Sequence, residues 1–169
     1  WRDHHEAILR AAKVVMEVNE DYGRTFDRKY GNGLVEKYRC EGAEAVIVAM
    51  GSMVGTARTA VDKLRDEGEN VGLVKLKCFL PFPEEDFRRI GESVKAVGMI
   101  DRNVCLGHGG AGFRMVRHSL YELDDRPAVL QFHAGLGGKE VRVRDIVKVG
   151  EKTLKAARGE KVAPLVEWV

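Results

Sequence analysis

The chain has 169 residues, with 28 lysines and arginines against 26 aspartates and glutamates and a formal net charge of +2 at pH 7. Interspersed charges in this balance exclude the one-signed electrostatic field on which nucleic-acid binding depends. Three widely spaced cysteines without a C-x-x-C pair favour reduced thiols in a cytoplasm over a disulfide framework or a zinc site. No apolar run reaches the roughly 18 residues of a membrane span, and no secretory leader follows Trp1, so we expect a cytoplasmic piece of a longer polypeptide.

The first 42 residues predict a leading helix and a linker. The stretch HHEAILRAAKVVMEVNEDYGRTF places apolar side chains at helical spacing between charged ones, namely Ile8, Ala11, Ala12, Val15, Val18 and Tyr22. Two glycines and an asparagine then interrupt regular structure before LVEKY runs as a short extended piece. We therefore assign residues 1–42 to a helix and linker, and residues 43–169 to the main domain.

From Ala43 the pattern alternates between strands and helices. The predicted strands are AEAVIVAM, NVGLVKLKCFL, VKAVGMID and PAVLQFHA, and predicted helices begin at Ser52, Pro83, Ala111 and about Arg142. The strands are nearly all apolar, which is typical of strands buried on both faces. This order predicts an α/β fold with a mainly parallel sheet between two helical layers. The tail APLVEWV adds either an edge strand or a clamp.

Two glycine-rich stretches follow predicted strands at the edge where ligands bind in such sheets. In MGSMVG, Gly51 and Ser52 stand at a helix start that could hold a phosphate or carboxylate, although Ser52 is also a good helix cap. The stretch lacks the G-K-[ST] ending of a phosphate-binding P-loop.

The second stretch, GHGGAGF, carries the G-x-G-x-x-G spacing of a dinucleotide site at Gly107, Gly109 and Gly112. The strand before it ends near Asp101, so the first glycine comes late, and no acid follows the next strand to hold a ribose hydroxyl. We therefore favour a structural or interface role over a nicotinamide or flavin site. The candidate anion or interface positions are Gly51, Ser52, Arg102, Gly107, His108 and Gly109; no catalytic, cofactor or metal residue is assigned.

Four ordered motifs resemble one enzyme family. They are KYRCEGAEAVIVAMGSMVGTARTAVDKLRDEG, VGLVKLKCFLPFPEEDF, VKAVGMIDRNVCLGHGG and AGLGGKEV. This order resembles the carboxyl-terminal domain of the alpha subunit of pyruvate:ferredoxin oxidoreductase, also called pyruvate synthase, in the 2-oxoacid:ferredoxin oxidoreductase family. The amino-terminal EAILRAAKVVMEVNEDYGRTFDRKYG resembles the helix and linker leading into that domain. One departure is KEVRVRD after GLGG, where relatives have an acidic, proline-containing helix start.

The resemblance implies a domain like the carboxyl-terminal domain of transketolase, a three-layer sandwich with a five-stranded sheet. The parent enzymes oxidatively decarboxylate a 2-oxoacid, here expected to be pyruvate, to an acyl-coenzyme A with ferredoxin as electron acceptor. The family holds its thiamine diphosphate and iron–sulfur clusters in other domains and subunits, so this segment is expected to hold no cofactor and to be inactive alone. Implied partners are subunits of beta, gamma and delta type, and ferredoxin for the whole complex.

Two alternatives remain open. A free-standing Rossmann-type nucleotide-binding domain would use the loop from Gly107 to Gly112. A small-anion-binding regulatory module would use the helix start at Ser52 and the donors around Arg102.

Overall fold

A six-stranded sheet forms the centre of the structure, a computed structural model that describes every residue from Trp1 to Val169. The strand order is β1-β3-β2-β4-β5-β6; β1 runs antiparallel to β3, and every other neighbouring pair is parallel. The strands are β1 (Val35–Tyr38), β2 (Ala45–Met50), β3 (Val71–Leu76), β4 (Ala96–Asp101), β5 (Ala128–His133) and β6 (Val166–Trp168).

Four of the five helices cover the two faces of this sheet. The helices are α1 (Arg2–Phe26), α2 (Met53–Asp66), α3 (Glu84–Ser93), α4 (Ala111–Leu120) and α5 (Val143–Ala157). Apolar side chains of α2 and α5 share one core with one face of the sheet, and those of α3 and α4 share a second core with the other face. Helix α1 lies outside both cores. None of the helices combines the length and the apolarity that a membrane crossing needs. The predicted three-layer α/β architecture is confirmed.

The central strands are apolar because each of their faces lies in a core. In β2 the side chains of Ala45, Ile47 and Ala49 belong to the α2/α5 core, while Val46 and Val48 belong to the α3/α4 core. All five are fully buried. A strand that must be apolar on both sides loses the alternation of a half-exposed strand, which is the pattern the sequence has.

The sheet has six strands where the resemblance implied five. The two edge strands add to the four that the local pattern predicted: β1 comes from LVEKY, which was predicted only as an extended piece, and β6 comes from the tail, whose edge-strand alternative is the one observed. Since β1 lies before residue 42, the sheet recruits part of the segment assigned to the linker. The boundary at residue 42 itself stays a prediction.

Helix ends follow the sequence signals with two differences. Ser52 stands at the start of α2 as predicted, but its hydroxyl makes no capping hydrogen bond. Pro83 lies one position before α3, which begins at Glu84 with three acidic residues in its first turn. Gly68 follows α2 with φ of +87°, the left-handed conformation that ends many helices.

A glycine in the middle of the sheet lets α5 approach closely. Gly98 in β4 faces Thr153 of α5, and a Cβ built on Gly98 would overlap the Thr153 hydroxyl. That hydroxyl donates to the Val149 carbonyl at 2.7 Å and is fully buried. The distance between β4 and α5 is therefore set by the absence of a side chain at Gly98.

We expect Gly98→Ala to lower the free energy of unfolding by about 1–3 kcal/mol, because the added methyl group overfills this contact. Gly55→Ala is the matched control: Gly55 is also a glycine at negative φ, but its Cβ would meet nothing within 4 Å. In α2 that control should stabilise the protein by up to about 1 kcal/mol. Urea unfolding monitored by circular dichroism measures both, and equal stabilities would contradict the close approach.

Candidate functional site

The carboxyl edge of the sheet has a cleft where the strand order reverses. The chain moves from β2 to β3 on one side and then crosses to β4 on the other, so helices on opposite faces leave a gap between β2 and β4. A cleft of about 330 Å³ occupies this place. Its walls are mostly apolar, with Met50, Met53, Phe79, Met99 and Ile100 among the lining residues.

A buried carboxylate at this edge holds the start of α4. Asp101, the last residue of β4, is 2% exposed, and its oxygens accept hydrogen bonds from the backbone N–H groups of Gly112 (2.8 Å) and Phe113 (3.0 Å). The side-chain amides of Asn103 and Gln131 donate to it at 3.2 and 3.4 Å. The first turn of α4 has no acid of its own, so Asp101 supplies the negative charge that a helix amino terminus favours.

The glycines of GHGGAGF pack against this carboxylate. A Cβ on Gly110 would overlap the Asp101 carboxylate, and one on Gly112 would lie 2.8 Å from it. A Cβ on Gly109 would lie 2.6 Å from the side-chain oxygen of Gln131. In a dinucleotide site the glycines admit a pyrophosphate at the helix start. Here the same place is filled by a carboxylate from the chain itself, and the glycines make room for it.

Two further polar side chains from β5 complete the buried cluster. Gln131 is fully buried, and its Oε1 atom has no hydrogen-bond partner. His133 is 2% exposed; its Nδ1 lies 3.0 Å from the Asn103 carbonyl oxygen, and its ring lies against Trp168 with centroids 4.7 Å apart. These groups tie β4, β5 and β6 together at the carboxyl edge.

The six predicted site residues do not converge on one point. Arg102 alone lines the cleft; its Nε donates to the Gly135 carbonyl at 3.2 Å and it forms no ion pair with an acid. Gly51 and Ser52 are exposed at the start of α2. Gly107 and His108 are exposed at the tip of the loop that Cys105 and Gly109 close by an antiparallel bridge. Their role in anion binding or at an interface therefore stays a prediction.

Neither the thiols nor the other potential metal ligands form a centre. The three cysteines are free and half-buried, and no group of three or more His, Cys, Asp or Glu side chains is placed to hold a metal ion. Burial raises the pKa of the Cys40 thiol, whose sulfur lies 3.3 Å from the Leu73 carbonyl oxygen. The Cys105 sulfur accepts a hydrogen bond from Arg114 at 3.1 Å.

A second, wider hollow lies away from this edge. It has a volume of about 600 Å³ and lies where the chain enters β4 and β5, between Lys95 and Pro127. Most of its lining residues are polar or charged, including Glu92, Asp124 and Asp125. Because ligands of open parallel sheets bind at the carboxyl ends of strands, we take the smaller cleft as the candidate site.

The contact between Asp101 and the start of α4 was not predicted from the sequence. Asp101 ends a predicted strand, but nothing in the pattern shows that its side chain reaches α4 across the loop of residues 102–110. The signal that could have found it is the absence of any acid or capping side chain at the start of that helix. Gln131 was likewise read only as part of an apolar strand.

Comparison with known proteins identifies relatives along nearly the whole chain. The family model for pyruvate:ferredoxin oxidoreductase core domain II matches residues 43–146. The chain is 38% identical to the pyruvate synthase subunit PorA of Methanocaldococcus jannaschii, over 89% of this chain and 38% of that protein. It is 37% identical to the ketoisovalerate oxidoreductase subunit VorA of Pyrococcus horikoshii, over 96% of this chain and 41% of that protein. It thus spans about two-fifths of the length of these curated relatives.

Solved structures with the same fold are more distant in sequence. A split-gene transketolase in an inactive β4 tetramer aligns over 78% of this chain and 46% of its own, with a TM-score of 0.61 and 23% identity. A 2-oxoglutarate:ferredoxin oxidoreductase from Magnetococcus marinus aligns over 79% of this chain and 21% of its own, with a TM-score of 0.54 and 21% identity. The architecture is therefore that of the transketolase carboxyl-terminal domain.

We expect Asp101→Asn to destabilise the chain by about 3 kcal/mol, because an amide group would set a donor against the donors that the carboxylate now satisfies. Asp124→Asn removes one carboxylate from an exposed position and serves as the control. Chemical denaturation measures the loss, and hydrogen exchange at Gly112 and Phe113 should accelerate in the first variant alone. Unchanged exchange at those two amides would contradict the role of Asp101.

We expect Cys40 to react with a thiol reagent more slowly than Cys105 at pH 7.5. Only the thiolate reacts, and burial raises the pKa of Cys40, so a smaller fraction of it is ionised. Labelling with 5,5′-dithiobis(2-nitrobenzoate) across a pH series, with Cys40→Ala to assign the slow phase, measures this. The slow phase should accelerate as the pH rises; a single rate for all three thiols would be the opposing result.

Proposed function

Because the chain belongs to the pyruvate:ferredoxin oxidoreductase core domain II family, we propose that it is the structural and assembly domain of the alpha-type subunit of a 2-oxoacid:ferredoxin oxidoreductase. The parent enzyme would oxidatively decarboxylate a 2-oxoacid, in our proposal pyruvate, to the acyl-coenzyme A with ferredoxin as acceptor. Relatives named for pyruvate and for ketoisovalerate are 38% and 37% identical, so identity alone does not select between these substrates.

One observation above all supports a non-catalytic role: the buried Asp101 carboxylate is engaged by four donors of the chain itself. The Asp101 oxygens accept from backbone and side-chain donors, and the His133 ring is bonded and stacked inside the fold. A nucleophile or general base needs a free atom within hydrogen-bond reach of a substrate. These residues instead hold the carboxyl ends of β4 and β5 and the start of α4 together.

The residues of this chain do not fit the cofactors of the parent reaction. A four-iron cluster needs four thiolates, and the chain has three cysteines that do not cluster. We propose that the parent enzyme holds the diphosphate of thiamine diphosphate through a divalent cation. In this chain no set of acidic side chains is placed to hold such a cation. We therefore assign thiamine diphosphate and the iron–sulfur clusters to other parts of the parent enzyme.

The contacts made by Asp101 and Arg102 also argue against the two alternative functions. A Rossmann-type nucleotide-binding domain would need the start of α4 for a pyrophosphate, and Asp101 fills that place. An anion module would need Ser52 and Arg102 to converge, and Arg102 lines the cleft while Ser52 does not. We propose instead a cytoplasmic multisubunit oxidoreductase whose other subunits are the partners of this domain.

We expect the isolated chain to show no 2-oxoacid-dependent reduction of methyl viologen with thiamine diphosphate, Mg²⁺ and coenzyme A present. The assembled oxidoreductase that contains the chain should reduce the dye with pyruvate faster than with 2-oxoisovalerate. Anaerobic spectrophotometry measures both rates. Activity of the isolated chain would contradict the structural role, and a preference for 2-oxoisovalerate would contradict pyruvate as substrate while leaving the family role intact.

A further inference from the structure

The leading helix has a face that nothing in the chain covers. Although α1 has 25 residues, none of its side chains is buried. Five large apolar side chains on one side of it are 37–60% exposed, and we call them the α1 stripe: Ile8, Val14, Val18, Tyr22 and Phe26. A helix of this length is about 37 Å long, so the stripe runs along one side of an element as long as a small domain is wide.

The opposite face of α1 is charged and forms ion pairs within the helix. Its charged side chains pair with one another along the helix: Arg2 and Arg10 with Glu6, and Lys13 with Glu17. These pairs are exposed and lie within α1, which is how a solvated helix face is arranged. The polar face therefore needs no partner, while the stripe leaves apolar surface in water.

The body of the domain holds α1 only at its carboxyl-terminal half. Asn19 donates to the Gly31 carbonyl at 3.1 Å, and Lys77 donates to the Asn19 side-chain oxygen at 3.2 Å and to the Tyr30 carbonyl at 2.8 Å. At Gly33 the backbone approaches α1 so closely that a Cβ would lie 3.0 Å from Asn19. These contacts fix the direction in which the stripe faces.

Between α1 and the body runs an apolar groove of about 450 Å³ that continues the stripe. Val14, Val18 and Tyr22 form one wall, and Gly33 and Lys77 form the other. Burial lowers the pKa of Lys77, with a smaller effect from nearby Lys75. The ammonium group of Lys77 is already donating to two oxygens of the chain, so an occupant of the groove would meet methyl and aromatic groups rather than an unpaired charge.

We propose that the α1 stripe and its groove receive an apolar surface of the parent subunit, from the part that corresponds to the unmatched length of its relatives. A VorA relative from Pyrococcus abyssi matches 99% of this chain, α1 included, yet the match covers 41% of that protein. α1 thus belongs to the shared sequence, and most of each relative's length lies outside the match. The inference rests on the proposed function, and it identifies the surface through which this domain contacts the rest of the parent subunit.

The occupant should be apolar and poor in charge. None of the five side chains of the stripe carries a charge, only Tyr22 has a polar atom, and the acids of α1 lie on the polar face. Interfaces between domains of one chain bury about 600–1,500 Å². A helix face of this length together with a groove is sufficient for a contact of that size.

A lysine placed on either side of α1 tests the inference in the assembled oxidoreductase. Val18→Lys puts a charge in the stripe, while Glu20→Lys puts the same residue two positions on, about 200° around the helix. We expect Val18→Lys to reduce the yield of assembled enzyme at least tenfold and Glu20→Lys to leave it unchanged. The melting temperature of the isolated 169-residue chain should be unaltered by either, since position 18 lies outside both cores.

A photo-crosslinker at position 22 then identifies the occupant. Incorporated in place of Tyr22, p-benzoylphenylalanine should form a bond to a part of the parent subunit outside these 169 residues, and at Glu20 it should form none. Crosslinks confined to this chain or to a second copy of it would overturn the inference, as would equal yields for the two lysine variants. An assembled complex with the expected crosslinks but without 2-oxoacid-dependent dye reduction would refute the proposed function alone.

Discussion

The carboxyl edge depends on one interaction, the placement of the Asp101 carboxylate at the start of α4. The carboxylate joins the end of β4 to the first turn of a helix eleven positions later and draws in side chains from the loop and from β5. In water an aspartate gains little from such neighbours, but a buried carboxylate with four donors stabilises their arrangement. The glycines at positions 109, 110 and 112 follow from it, since any side chain there would displace the carboxylate or Gln131.

This arrangement explains how a loop with the glycine spacing of a nucleotide site can belong to a domain for which we propose an assembly role. In related folds the start of a helix at a strand end is left open, and a ligand phosphate satisfies its N–H groups. Here those N–H groups donate to the chain itself, so the start of α4 needs no ligand. The surface that lacks a partner is instead on α1, whose apolar side chains are exposed to water.

Local sequence patterns predicted the four central strands and the helices between them, because burial on both faces and helical periodicity leave direct traces in the order of residues. They predicted the position of Ser52 but not the absence of its hydrogen bond. They could not predict the partners of Asp101 and Gln131, which come from different elements and meet only after folding. For α1 the amphipathic pattern predicted a helix correctly, yet amphipathicity does not state what lies against the apolar side, and the side chains of the α1 stripe stay 37–60% exposed in this chain.

The two short outer strands have a consequence for solubility. Without them β3 and β5 would present bare backbone N–H and C=O groups, and exposed edges of this kind promote pairing between molecules and aggregation. On one side β1, four residues long and carrying Glu36 and Lys37, covers β3. On the other, the tail pairs with β5 from the Leu165 carbonyl to the Val169 amide. Segments outside the alternating strands and helices thus protect a sheet of apolar parallel strands from joining the sheet of a neighbouring molecule.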